Sequence, residues 1–380
     1  MKINLHLHPS GLLNASRIQK TTGWLLSRNI FDRVYVLGIR DAGLPAVQRV
    51  GKHACYIRLK CVKGDNARWV AKMFHRLVWF VRVLSVARRL KPVCVNAHSL
   101  AVLPCAVLIK WMCGAKLVYD THELETEVKT ATGFRKKFAK IVERVFLPFA
   151  DQIIVVSGSI ADWYQQTYQI PRPHVVRNIP SAGTPEKRAR YLREYFSIPE
   201  TDIIALYLGG LIAGRGIDEI LDAWKKAPSH WHLVIVGFGP LIERVQQHAR
   251  EIPRIHLHAV VPTTDVVKVA SSADVGFSLL APCCLSHAYA LPNKLFEYLL
   301  AGVPVITNGL PEIKRIIEQD ECGWIMSLDR LSDMFEIKRD DISQKSENAQ
   351  KAAKRYDWTV EAENLVEPYK ALGFYRTKGS

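Results

Sequence analysis

The chain has 380 residues, 48% of them apolar and 23% charged, with 52 Lys and Arg against 36 Asp and Glu. That length exceeds what one hydrophobic core serves and implies two domains, while the composition is that of an ordinary globular protein. A net charge of +16 points to an acidic partner (nucleic acid, an anionic membrane surface or a phosphorylated substrate) or to a solvated basic face without one.

The N-terminal segment MKINLHLHPSGLL alternates polar and apolar residues as a strand does and lacks the long apolar run of a signal peptide. Strand-like runs then recur at 33–39, 93–98, 115–122, 152–157 and 174–178, and again at 203–210, 232–239, 255–261, 274–280 and 303–308. Stretches of helical period lie between them, at 67–90, 135–150, 217–226 and 264–271. Strands alternating with helices predict parallel sheets covered on both faces. The polar interval 181–201 separates the two sets. The expected organisation is a Rossmann-like domain over 1–180, a second Rossmann-like domain over 181–356, and a C-terminal helix over 357–380 returning towards the first. Ligands of doubly wound sheets sit at the carboxyl ends of the strands, so two such domains facing across a cleft suit an enzyme that joins two substrates.

The most apolar stretch, residues 100–109, falls far short of the ~20 residues that span a bilayer. The chain is therefore expected in the cytoplasm, with the inner face of the membrane within reach. The eight cysteines form no CxxC pair, and several lie in apolar runs. They read as reduced, mostly buried thiols rather than a disulfide or zinc framework. Adjacent Cys283 and Cys284 do not change this, because side chains at i and i+1 rarely converge on one metal. In the 67–90 stretch, Arg68, Lys72, His75, Arg76, Arg82 and Arg89 project within an arc of about 140°, with Trp79 among them. Val70, Met73, Phe74, Leu77, Phe80, Val81 and Leu84 fill the opposite side. Such a face suits an anionic bilayer, or is the solvated side of a core-packed helix. Phe134, Lys136, Lys137 and Lys140 continue the basic theme.

The segment 291–306, LPNKLFEYLLAGVPVI, carries the clearest chemistry. Pro292 suits a helix start and Gly302 a helix end, after which Val303, Val305 and Ile306 begin a strand. Lys294 and Glu297 share one face near the helix start. Either they are a solvated pair, or Lys294 meets a phosphate at the open helix end while Glu297 accepts hydrogen bonds from ribose hydroxyls.

FEYLLAGVPVI resembles the C-terminal signature of the family-four glycosyltransferases, retaining enzymes of the GT-B fold. The resemblance implies that Glu297 binds the nucleotide ribose. LGGLIAGRGIDEILDAW (208–224) is similar to the loop in which that family grips the donor diphosphate with two basic residues. Here Gly210 stands at the first of those positions and Arg215 fills the second. VGFGP (236–240) resembles the family's Gly-rich turn. By the same resemblance Gly209, Gly210, Arg215, Gly237, Lys294, Leu295 and Glu297 form the donor site. In the first half YDTHELE (119–125) resembles the acceptor-side strand end, so His122 faces the transferred sugar and Glu123 lies beside it as the catalytic pair. His98 resembles the family's preceding histidine, and Gly11 and Arg17 in the loop after the first strand complete the acceptor side. Ser157 and Asn178 end strands in similar places.

Many family members carry a Glu eight positions before the one matching Glu297, but this chain has Tyr289 there. The Pro-Asn-Lys version resembles a subgroup acting in surface-polysaccharide assembly. The resemblance thus implies retaining transfer of a hexosyl or N-acetylhexosaminyl group from a nucleotide sugar, with UDP-sugars the first expectation, to a glycan or polyprenyl-diphosphate-linked acceptor. It implies no metal and no cofactor, since helix dipole and basic side chains stabilise the departing diphosphate. No nucleic-acid motif appears. A non-catalytic nucleotide-sugar-binding subunit and a GT-B-fold epimerase remain the alternatives.

Overall fold

The computed structural model describes the chain apart from residues 14, 41–42, 61–68, 182, 186–187 and 376–380, with backbone only for 69–75. The chain forms two compact units, residues 1–176 with 362–380, and residues 177–361.

Unit 1 is built on β1 (Ile3–Leu7), β2 (Arg33–Ile39), β3 (Val47–Val50), β4 (Ala54–Leu59), β5 (Cys94–Ala97), β6 (Lys116–Asp120), β7 (Gln152–Val155) and β8 (His174–Val175). Their order is β3-β4-β2-β1-β5-β6-β7-β8. Every pairing is parallel except β3 with β4. The β3–β4 hairpin was not visible in the sequence pattern, because all four residues of VQRV are exposed and only one face of β4 is buried. All five residues of β1 are buried, so Asn4 and His6 lie inside. Burial demands partners for them. Asn4 Nδ2 donates to Asn96 Oδ1 at 2.9 Å, and Asn96 Nδ2 donates to the Tyr369 hydroxyl at 2.7 Å. The tail is broken into a helix Trp358–Glu361, a 3-10 turn Ala362–Leu365 and a helix Val366–Ala371. This replaces the continuous helix expected over 357–380, of which 376–380 lie outside the described residues.

The helix Trp69–Leu90 corrects one expectation. Trp79 is 2% exposed and its indole N–H donates to the Gly38 carbonyl at 3.2 Å, while Leu77 and Val81, assigned to the buried side, are each 59% exposed. The helix packs through Trp79, Val83 and Ala87, four residues apart. Burying a large indole with its N–H satisfied outweighs the apolar area of Leu77 and Val81, so Trp79 does not stand exposed on a basic face. Arg76, Arg82, Arg88 and Arg89 do face solvent. Arg68 and the side chains of Lys72 and His75 fall outside the described residues.

Unit 2 contains β9 (Ile203–Leu208), β10 (Trp231–Val236), β11 (Ile255–His258), β12 (Val275–Ser278), β13 (Val305–Thr307) and β14 (Gly323–Ile325). They run in the order β11-β10-β9-β12-β13-β14, all parallel. Each residue of β9 is buried, as a strand covered on both faces requires. Ile204, Leu206 and Leu208 enter one core layer with Leu295, Phe296 and Leu299, and Ile203, Ala205 and Tyr207 enter the other with Trp224 and Trp231. At the ends of the unit, Glu361 accepts the Arg177 N–H at 2.7 Å and Arg177 Nε at 2.9 Å. That bond ends the strand-like run expected at 174–178 after Val175.

Strand order reverses between β1 and β5 in unit 1 and between β9 and β12 in unit 2. Those switch points are where the loops part and a ligand can enter.

Candidate functional site

In unit 2 the loop after β9 carries Gly209 (φ +120°), Gly214 (φ +84°) and Gly216 (φ +78°), all in the left-handed region. The next turn fits against it so closely that a Cβ on Gly237 would lie 2.0 Å from the Gly209 carbonyl oxygen. No side chain is tolerated there. Across the switch point the helix Asn293–Leu300 starts after Pro292. It is anchored by Tyr298, whose hydroxyl donates to the Leu206 carbonyl at 2.8 Å and accepts the Leu208 N–H at 2.9 Å.

This anchoring lays Lys294 over the β9 loop. Its Nζ lies 3.9 Å from the centroid of the Tyr207 ring and about as far, 3.8 Å, from where a Cβ on Gly209 would stand. The ammonium is out of solvent and makes no hydrogen bond. Burial, reinforced by the Arg215 charge and opposed by Glu297, pushes Lys294 down to about 7. Arg215 reaches back beside Gly210, with Nη1 3.5 Å from where a Cβ on Gly210 would be. Gly210 therefore leaves room that the arginine uses. Two cations, one of them buried without a partner, converge on glycine-rich backbone, which is the chemistry of a diphosphate cradle. Leu295 differs from the expectation: its side chain is 0% exposed in the core, so it contributes packing. Glu297 is half-buried on the helix face it shares with Lys294.

In unit 1 the carboxyl ends of β1, β5 and β6 bring four histidines together. His6 Nδ1 lies 2.7 Å from His98 Nε2, and His98 Nδ1 lies 3.2 Å from His122 Nε2. The His8 and His122 rings stack with centroids 6.1 Å apart. Asp120 Oδ2 approaches His98 Nδ1 at 3.3 Å. Arg17 holds the same carboxylate, with Nη2 at 2.7 Å and Nε at 3.1 Å from Oδ1, and its Nη1 donates to the Val176 carbonyl at 2.7 Å. Burial opposes the Asp120 charge, but Arg17 and the histidines outweigh it and hold the carboxyl well below its usual range. Burial, with Arg17, His98 and His8 adding to it and Asp120 opposing, pushes His122 well below its ordinary value. Burial likewise lowers His8 to about 4. Three neutral imidazoles, those of His6, His8 and His122, thus line the strand ends.

Two family models match the chain, one described as Glycosyltransferase Family 4 over residues 33–179 and one as Glycosyl transferases group 1 over residues 202–337. The chain is a glycosyltransferase of the GT-B type. The enzyme is 22% identical over 272 residues to a probable glycosyltransferase WbjE of Pseudomonas aeruginosa, covering 68% of each chain. It is 21% identical over 264 residues to the chitobiosyldiphosphodolichol beta-mannosyltransferase of Kluyveromyces lactis, covering 60% of this chain and 58% of that one. Among solved structures it matches sucrose-phosphate synthase from Thermosynechococcus elongatus with a TM-score of 0.80 at 14% identity, over 98% of this chain and 99% of that one. HepE of Anabaena, solved in complex with UDP, matches with a TM-score of 0.74 at 14% identity, over 98% and 100%. At such identity the structural likeness carries the fold.

The enzyme's geometry reassigns several residues that the motifs suggested. Arg17 is 4% exposed with its guanidinium engaged by Asp120 and Val176, so it acts by positioning Asp120 rather than by touching an acceptor. Gly11 offers its carbonyl to Arg58 Nε at 2.7 Å, which pins the loop. His98 is 2% exposed and orients its neighbours, whereas His122 is half-buried and Glu123 exposed. Ser157 is a helix cap, accepting the Ile160 N–H at 3.4 Å. Tyr207 and Glu125 escaped the sequence reading. Tyr207 looks like any core aromatic in IIALYL, and only tertiary contact puts its ring under Lys294. Glu125 accepts Ser99 Oγ at 2.8 Å and the Leu100 N–H at 2.7 Å, and burial pushes it up to about 7. The sole available signal was its place in YDTHELE.

Proposed function

We propose that the enzyme transfers a hexosyl or N-acetylhexosaminyl group, with retention, from a UDP-sugar to a polyprenyl-diphosphate-linked glycan in surface-polysaccharide assembly. The observation that carries the donor half is the buried, unpartnered Lys294 ammonium beside Arg215. A nucleoside diphosphate supplies the anion those cations lack, and Glu297 on the same helix face receives the ribose hydroxyls. The solved likeness with bound UDP supports the choice of nucleotide.

In this reading an acceptor hydroxyl attacks the anomeric carbon on the face from which the diphosphate leaves. The new C–O bond forms as the bond to phosphate breaks, and the hydroxyl proton passes to the departing phosphate oxygen. Lys294 and Arg215 stabilise that oxygen's charge without a metal at the diphosphate. Neutral His122 and exposed Glu123 hydrogen-bond hydroxyls of the transferred sugar.

The acceptor half rests on the surface of unit 1. The helix Gly133–Phe146 turns its carboxylate inward, where Glu143 accepts the hydroxyls of Tyr119, Tyr164 and Tyr168 at 3.2, 2.5 and 2.6 Å. Its outer face carries Phe134, Phe138, Ile141 and Val145, exposed by 78, 58, 60 and 53%. These four fall within an arc of about 60° at helical period. Arg135, Lys137 and Arg144 flank them in solvent, and Trp111 adds a further ring, 57% exposed, on a neighbouring helix. Apolar side chains edged with cations suit the interface of an anionic bilayer. Among the described residues no helix is long and apolar enough to cross one. A relative named for a diphosphodolichol acceptor supports the lipid-linked class.

The test is turnover. UDP-, GDP- and ADP-sugars are screened by thermal shift, and the best donor is then incubated with polyprenyl-diphosphate-linked acceptors in anionic vesicles. Release of UDP with a glycan product of retained anomeric configuration is expected. Donor binding without turnover would instead mark a non-catalytic subunit, and isomerisation of the donor an epimerase. Glu297→Ala should abolish donor binding.

A further inference from the structure

The segment between β12 and the donor helix holds a side-chain cluster that the transfer chemistry does not use. Cys283, Cys284 and His287 bring one ligand atom each within 4.8 Å of one another, and Cys283 Sγ lies 3.3 Å from His287 Nδ1. This corrects the expectation that adjacent cysteines do not converge. The convergence has a backbone cause. The Cys283 N–H donates to the Ala281 carbonyl at 2.8 Å, closing a turn, and one helical turn over Leu285–Ala288 then carries His287 back over it. The Ala288 N–H bonds to the Cys284 carbonyl at 3.0 Å and fixes that turn.

We propose that Cys283, Cys284 and His287 form a binding site for a soft divalent cation, with Zn2+ the ion their chemistry selects. Thiolate with imidazole is a zinc donor set. At metal–sulfur distances of about 2.3 Å and metal–nitrogen distances of about 2.0 Å, tetrahedral ligands stand roughly 3.5–3.8 Å apart, so a small adjustment of these side chains closes the site. Cys283 is exposed and the other two are half-buried. A fourth position therefore stays open to water. The remaining described cysteines are scattered and lie in no such group.

The place of the site gives the ion a structural consequence. Ala281 donates its N–H to the Gly214 carbonyl at 2.8 Å in the loop that carries Arg215. A few residues beyond His287 begins the helix that carries Lys294 and Glu297. An ion held at 283, 284 and 287 braces the chain joining the two halves of the cation cradle, including Tyr289, without taking part in transfer.

The test is cobalt substitution in the full-length enzyme, prepared metal-free and reduced. One equivalent of Co2+ is expected to produce thiolate-to-cobalt charge-transfer absorption with the d–d bands of tetrahedral cobalt, and Zn2+ should displace it. The Cys283→Ser/Cys284→Ser variant should lose the charge-transfer band, His287→Ala should weaken binding at least tenfold, and Cys55→Ser should leave both unchanged. Absence of the band in the wild type, or its survival in the double-serine variant, overturns the proposal. These readouts do not involve nucleotide, so they stand whether or not the donor reading does.

Discussion

The Lys294 ammonium sits 3.9 Å over the face of Tyr207 with no hydrogen-bond partner. A cation–π contact offsets part of its desolvation but leaves three N–H donors unsatisfied. The donor-free protein therefore carries an energetic penalty at the residue proposed to hold phosphate. Lys294→Met should raise the stability of the nucleotide-free enzyme by about 1–3 kcal/mol, seen as a melting temperature several degrees higher, while removing the UDP-induced shift. A variant that melts lower and still binds UDP would contradict this assignment.

The same residue sets a pH dependence. Lys294 is pushed down to about 7, and only its protonated form attracts diphosphate. Below that pH the attraction is fully present. As pH rises through it, donor affinity falls by up to about tenfold per pH unit until the pKa of the bound state is reached. UDP-glucose is the proper probe, because its diester diphosphate does not titrate in this range. Calorimetry at about pH 8 in two buffers of different ionisation enthalpy should report proton uptake on binding, and almost none at about pH 5.5, where Lys294 is already protonated before the donor arrives.

The buried pair Arg17–Asp120, 2.7 Å apart with side chains 3% and 1% exposed, supports the histidine cluster. Removing one partner strands the other charge, so Asp120→Asn should cost about 3–5 kcal/mol in denaturant unfolding. The double variant Arg17→Met/Asp120→Leu should lose less than the sum of Arg17→Met and Asp120→Leu. Strict additivity would show that the pair is not coupled.

Phe134 and Phe138 bear on a different property. Both are solvent-facing, so Phe134→Ser/Phe138→Ser should leave the melting temperature within about a degree. Each Phe that enters a bilayer interface gains on the order of 1.5–3 kcal/mol, so the double variant should bind anionic vesicles at least tenfold more weakly. Unchanged binding would remove this helix from the membrane assignment.

Much of this was legible in the residues themselves. Continuous apolar runs such as IIALYL can be stable only with both faces covered, so the parallel α/β architecture follows from local pattern. Lys294 and Glu297 share a helix face by spacing alone, and the glycines of VGFGP mark a tight strand-to-helix turn. Tertiary structure decided what depends on which neighbour arrives. Trp79 turned inward because the Gly38 carbonyl waits there, and Arg17 became a positioning group because Asp120 and Val176, far away in sequence, take up its guanidinium. The burial of Lys294, the convergence of Cys283 with His287 and the outward apolar stripe of residues 134–145 are likewise products of packing. Periodicity specifies which residues lie together on a face, but the direction of that face is set by the best competing burial.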